Sequence, residues 1–145
     1  MTTRVVHLAR IAYSVVAWLF AAAVIFQVFL AGLSLFASAA NWGTHREFGY
    51  GLGFLALLLV MLAVLSRIPR AIGLWLALLL AAYTIQTILP VLRRDMPWVA
   101  ALHPVNALAV VWIALAHARR ARAELVLPQP GNSMEQAAQR RSVKA

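Results

Sequence analysis

The stretch that decides the fold is a long uncharged run near the start of the chain, IAYSVVAWLFAAAVIFQVFLAGLSLFASAA (Ile11–Ala40). Three further uncharged runs follow, at Phe48–Ser66, Ala71–Leu92 and Met96–Ala118. Each run is long enough to cross a hydrocarbon layer about 30 Å thick as an α-helix. Lipid offers no partners to backbone amides, so segments of this kind span as helices. The sequence therefore predicts an all-α integral membrane protein.

The lengths of the runs and of the turns between them predict the architecture. Short connections place consecutive helices side by side in opposite directions. We therefore predict an antiparallel four-transmembrane-helix bundle as one domain over residues 1–123, with spans at about 11–38, 46–66, 71–92 and 97–118. Residues 124–145 are rich in Pro, Gln, Ser and Arg, a composition typical of a disordered, basic cytoplasmic tail.

The charged residues predict how the bundle is oriented. They make up 12% of the chain, against about 25% in soluble domains, yet the formal net charge is +9. Ten of the thirteen Lys and Arg residues flank one end of the predicted spans, and the other end has Arg46, Arg93 and Arg94. The positive-inside rule then places both termini in the cytoplasm. The positive charge reflects topology and attraction to anionic lipid, and it does not indicate nucleic-acid binding.

The chain has no cysteine. This excludes disulfides, iron–sulfur clusters, thiolate zinc sites and covalently attached c-type haem. A metal centre would have to use histidine. No carboxylate, serine or lysine lies beside a base at membrane depth, so we expect no autonomous catalytic activity.

Each predicted helix contributes a polar side chain to the outer half of the bundle. These residues are Gln27 in helix one, His45 at the mouth of helix two, Gln86 in helix three, and His103 with Asn106 in helix four. Polar groups at membrane depth are costly and suggest a functional site. The alternative is that the amides form interhelical hydrogen bonds that hold the bundle together.

The two outer histidines, His45 and His103, are the more specific candidates for a binding site. His45 and His103 both follow the starts of inward-running helices that can face each other across the bundle, as bis-imidazole haem ligation requires. Gly49 and Gly53 lie on the same helical face as His45. Their lack of side chains would let a flat macrocycle approach the backbone closely. Tight packing against another helix is the alternative explanation of this stripe.

The relative depths of the two histidines remain open at this point. His45 adjoins Arg46 at the membrane surface, whereas His103 is about a turn and a half inside if helix four begins at Pro97. The depths match if helix two begins before His45 or helix four tilts. His103 also precedes Pro104, which disfavours helical geometry just before it. Either a kink aims the imidazole inward or the regular helix begins only at Pro104.

A second histidine pair lies towards the cytoplasmic side. His117 follows His103 by 14 residues and returns to nearly the same face of helix four. With His7 as its partner it would bind a second haem. The alternative is that both histidines join arginines at the inner interface.

Three short motifs resemble one four-helix half of the haem A synthase family: QVFLAG at Gln27–Gly32, the pair His45–Arg46, and ALH at Ala101–His103. The chain is also similar to small four-span bacterial membrane proteins of unknown function. The resemblance implies a haem held by His45 and His103 near the outer face. Trp42 stands where that family has a glutamate, and the outer-loop cysteines are missing, so oxidation of a haem methyl group is not implied.

Together these observations give two hypotheses for a multi-pass protein of the bacterial cytoplasmic (inner) membrane. In the first, the protein binds one haem b between helices two and four for electron transfer or haem handling, with a quinone or another membrane redox protein as partner. Gln27, Gln86 and Asn106 would supply hydrogen bonds around it, and Arg46 would pair with a propionate. In the second, the chain is a cofactor-free structural or accessory subunit of a larger membrane complex or a homo-oligomer.

Overall fold

A computed structural model describes residues 3–126, and this part of the chain is entirely helical apart from short turns. The helices are α1 (Thr3–Phe36), α2 (Trp42–Ser66), α3 (Arg70–Ile88), the single turn α4 (Pro97–Ala100) and α5 (His103–Leu125). Two 3₁₀ turns, Ala39–Asn41 and Leu89–Arg93, join α1 to α2 and end α3.

The described residues include four helical segments that are long and apolar enough to cross a membrane, which confirms the predicted number of membrane-length helices. They are Thr3–Phe36, Ala39–Ser66, Arg70–Arg93 and Pro97–Leu125. The first predicted span is part of a longer helix, since α1 begins at Thr3. The predicted tail lies outside the described residues from 127 onwards, and Glu124 and Leu125 belong to the last turn of α5.

The boundary between α4 and α5 resolves one question that the sequence left open. Proline lacks a backbone N–H and disfavours a helix just before it. The structure accordingly interrupts the fourth segment at Ala101 and Leu102, and α5 begins at His103 with Pro104 in its first turn. The backbone N–H of Asn106 donates to the carbonyl of Leu102 at 2.8 Å, which closes the first turn of α5. The long helix of the fourth segment, α5, therefore starts at His103.

The helices α1 and α5 form the centre of the bundle. The helix α1 packs closely against α2 and α5, α5 packs against α3, and α2 touches α3 only sparsely. Large side chains that are fully buried lie along this centre, including Tyr13, Phe20, Leu59, Ile72 and Leu79. Many other apolar side chains point outward, as expected of a bundle whose solvent is lipid.

Polar contacts also join α1 to α2 and to α5 at the end of the bundle where α1 begins. The Tyr13 hydroxyl is hydrogen-bonded to His117 Nε2 at 3.0 Å, and both residues are fully buried. The Arg10 guanidinium donates to the carbonyl of Ser66 at 3.2 Å. His7, the predicted partner of His117, is exposed on α1. The start of α1 therefore lies beside the ends of α2 and α5.

We predict that Tyr13→Phe lowers the free energy of unfolding by about 1–2 kcal/mol, because it leaves the buried Nε2 of His117 without a partner. Reversible unfolding in mixed detergent micelles, followed by circular dichroism, measures the loss. The exposed Tyr50 provides a control, since Tyr50→Phe removes a hydroxyl without an intramolecular partner among residues 3–126. Equal stability of the two variants would show that the buried bond contributes nothing. Adding His117→Leu to Tyr13→Phe should recover part of the loss, because neither polar partner then remains.

Candidate functional site

Gln27 and His45 hold α1 against α2 through two reciprocal hydrogen bonds. The Nδ1 of His45 donates to the backbone carbonyl of Gln27 at 3.2 Å. In return, the Nε2 of Gln27 donates to the backbone carbonyl of His45 at 2.6 Å. The Trp42 ring stands edge-on to the imidazole, with ring centres 5.4 Å apart. The orientation of the His45 ring is therefore fixed on two sides.

Gln86 and His103 repeat the arrangement between α3 and α5. The Nδ1 of His103 donates to the backbone carbonyl of Gln86 at 3.0 Å. The Nε2 of His103 lies 3.2 Å from the Nε2 of Gln86, which donates to it. Asn106 completes the cluster, because its Nδ2 donates to Gln86 Oε1 at 2.7 Å and to the carbonyl of Ala82 at 2.9 Å. All three predicted residues of this half are thus in contact.

The two imidazoles meet where the two helix pairs adjoin. Their ring centres are 6.3 Å apart and their planes are inclined at 74°. The predicted difference in depth disappears because α2 begins at Trp42, ahead of His45, while α5 begins at His103 itself. The structure therefore brings together His45, His103, Gln27, Gln86 and Asn106 in a single group, which we call the histidine cluster.

The hydrogen bonds of the rings determine what chemistry the cluster offers. A backbone carbonyl can only accept, so Nδ1 of each ring bears the hydrogen and Nε2 of the neutral ring holds a lone pair. Among residues 3–126, the Nε2 of His45 has no hydrogen-bond partner, and the buried Oε1 of Gln27 also lacks one. The cluster thus presents lone pairs that suit a metal ion, a proton or a hydroxyl donor.

The glycine stripe of α2 is covered by side chains of neighbouring helices. A Cβ added at Gly49 would lie 2.6 Å from the Nε2 of Gln27, and one at Gly53 would lie 3.5 Å from the Tyr83 hydroxyl. That hydroxyl donates to the carbonyl of Gly49 at 2.9 Å. Gly49 therefore has a specific packing role, because it makes room for the Gln27 amide.

Two further observations limit the nature of a metal site. Within residues 3–126 there is no group of three or more His, Cys, Asp or Glu side chains that could hold a metal ion. Two imidazoles are too few for a structural zinc site, which takes four protein ligands. They are the number that haem iron takes as axial ligands. Arg46, the predicted propionate partner, is exposed next to His45 on α2.

Sequence reasoning missed Tyr83 and the roles of the glutamine backbones. A tyrosine within an apolar helix looks like a packing residue, and its hydroxyl contact with α2 has no signature in the sequence. The repeated glutamine–histidine pairing does have a signature in the sequence. Gln27 precedes His45 by 18 residues and Gln86 precedes His103 by 17 residues, and this similar spacing could have predicted the two pairs.

Comparison with known proteins gives one partial match. Residues 27–92 match the model of a family of unknown function, DUF6220. This agrees with the expected likeness to small proteins of unknown function. The matched segment contains Gln27, His45 and Gln86 and ends before His103. No curated protein and no solved structure matches the chain.

We predict that Gly49→Ala weakens the bundle relative to Gly51→Ala. The two changes gain similar helix propensity, but a Cβ at Gly51 meets nothing within 4 Å. At Gly49 the Cβ would push the Gln27 amide away from the His45 carbonyl, at a cost of about 1–2 kcal/mol. Unfolding in mixed micelles compares the two variants. In a Gln27→Ala background the difference between them should vanish, and a difference that persists would mean that another contact is responsible.

Proposed function

We propose that the chain is a multi-pass protein of the bacterial cytoplasmic membrane, with antiparallel helices and both termini in the cytoplasm. The contacts of Arg10 with Ser66 and of Tyr13 with His117 place the start of α1 beside the ends of α2 and α5. Most basic residues of the described chain belong to this same end of the bundle. The positive-inside rule assigns such an end to the cytoplasm. The histidine cluster then lies towards the outer face.

We propose further that the histidine cluster binds one haem b, with His45 and His103 as axial ligands. The single observation that supports this most is the placement of the two imidazoles. Two metal–nitrogen bonds of about 2 Å put the centres of opposing imidazoles roughly 6 Å apart. The observed separation is 6.3 Å. Each ring is already anchored through Nδ1 to a carbonyl, which is the arrangement that orients histidine ligands of metals.

The chemistry of the ligand set also favours haem over a bare metal ion. A porphyrin brings its own four equatorial nitrogens, so two protein ligands complete the coordination of its iron. The chain has no cysteine, so such a haem would be held without thioether bonds. Bound haem supplies a reversible one-electron couple, and this suits electron transfer or haem handling with a quinone or another membrane redox protein as partner.

Binding requires rearrangement of the protein's own side chains. The Gln86 amide must leave the Nε2 of His103, and the Gln27 amide must move off Gly49. Both are the far ends of flexible side chains, and the backbone carbonyls that orient the imidazoles stay in place. Asn106 and the two displaced amides would then hydrogen-bond around the haem, and the exposed Arg46 would pair with a propionate.

A second candidate function is that of a cofactor-free accessory subunit or homo-oligomer. It is favoured by the fact that the cluster already satisfies much of its own hydrogen bonding, since Gln86 donates to His103 and Gln27 donates to the backbone carbonyl of His45. In this case the glutamine–histidine pairs fasten helices together. The outward apolar side chains, such as Phe54, Val64 and Leu108, would pack against a neighbouring subunit.

We expect protein purified in mild detergent from haem-supplemented cells to show sharp reduced α and Soret bands, with about one haem per chain in a pyridine haemochrome assay. His45→Ala and His103→Ala should each abolish the bands. His7→Ala should leave them unchanged, because His7 is exposed on α1 away from the cluster. A colourless, folded wild-type protein would contradict the haem proposal and favour the function of an accessory subunit.

Gln86→Leu tests the proposed rearrangement of the histidine cluster. It removes the donor to His103 Nε2 but retains the backbone carbonyl that anchors Nδ1. If the cluster binds haem, we expect pigment to be retained at wild-type stoichiometry. The matched control is Thr84→Leu, a polar-to-apolar change at an exposed position of α3. Loss of pigment in Gln86→Leu but not in Thr84→Leu would show that the amide is needed for ligation and contradict the proposed rearrangement.

A further inference from the structure

An open groove lies between α1 and α5 at the end of the bundle where α1 begins. It encloses about 560 Å³ and is bordered mainly by apolar side chains of α1. These include Ile11, Val15, Trp18, Leu19 and Ala22. From α5, Arg122 is the charged residue among the described residues that line the groove. The groove shares no residue with the histidine cluster, so its function does not require the proposed haem site.

The groove has a charged end and an apolar end. Tyr13 contacts His117, and Ile11 and Arg122 both lie beyond that contact towards the start of α1 and the end of α5. Ala22 lies 11 residues further along α1 than Ile11, about 16 Å deeper into the bundle. A ligand lying in the groove would therefore meet a guanidinium first and a hydrocarbon surface beyond it.

One charged side chain in the groove lacks a protein partner among residues 3–126. The guanidinium of Arg122 makes no hydrogen bond or ion pair there, whereas that of Arg10 donates to Ser66 and that of Arg120 stacks on Trp75. A guanidinium only donates, so the complementary ligand offers an anionic group next to an apolar chain.

We propose that this groove binds an anionic phospholipid, with its phosphate at Arg122 and one acyl chain along Val15, Leu19 and Ala22. Phosphate oxygens only accept, which matches the free guanidinium of Arg122. Anionic lipid is also the class that the basic end of the bundle attracts.

The test is a titration of the full-length protein in mild detergent with phosphatidylglycerol and, separately, phosphatidylcholine, with bound lipid counted by native mass spectrometry. Arg122→Gln should weaken phosphatidylglycerol binding about tenfold, because it removes a charge-assisted hydrogen bond. The control is Arg119→Gln, which removes the same charge from the same helix outside the groove. Ala22→Trp should also weaken binding by filling the apolar end, whereas Ala81→Trp on the exposed face of α3 should not.

Selective loss of phosphatidylglycerol in Arg122→Gln and Ala22→Trp would support the site. Equal losses in Arg122→Gln and Arg119→Gln would mean that lipid is held by general charge, and the proposal would be wrong. Equal binding of phosphatidylcholine by the wild type would also overturn it. A photo-crosslinking residue in place of Leu19 identifies the occupant directly. Crosslinks to residues 127–145 or to a second copy of the chain, and none to lipid, would assign the groove to protein instead.

Discussion

The structure depends on the constraint that a polar side chain in apolar surroundings is costly unless it finds a hydrogen-bond partner within the protein. In this bundle the partners of the two imidazoles of the histidine cluster are backbone carbonyls of neighbouring helices, those of Gln27 and Gln86. These bonds join α1 to α2 and α3 to α5. They also fix the hydrogen on Nδ1 and leave the lone pair on Nε2. The hydrogen bonds that join the helix pairs thus also determine which ring nitrogen of each histidine carries the lone pair.

The sequence predicted the helices well because their signal is direct. Long uncharged runs have one stable form in lipid, and the four membrane-length helices appear where the runs occur. The sequence allowed two starting points for the helix that carries His103, because a proline can either kink a helix or delay its start. The structure shows that α5 begins at His103. A difference of one helical turn would have separated the two imidazoles in depth.

The sequence predicted which residues form the histidine cluster, but it did not predict the hydrogen bonds between them. Gln27, Gln86 and Asn106 stood out because polar residues are rare in the spans. That the glutamines act through their backbone carbonyls could not be predicted, since every residue has one. Tyr83 was missed for a related reason, because its hydroxyl reaches the carbonyl of Gly49 on another helix and that contact depends on how the helices pack.

His117 and the histidine cluster differ in a way that bears on function. His117 is fully buried in the core, and its Nε2 is hydrogen-bonded to Tyr13. His45 is only partly buried, and its Nε2 has no such bond. The histidine cluster also arises where two similar helix pairs adjoin, each contributing one imidazole. Neither pair alone presents a two-histidine site, so the proposed haem would bind only where both pairs are assembled.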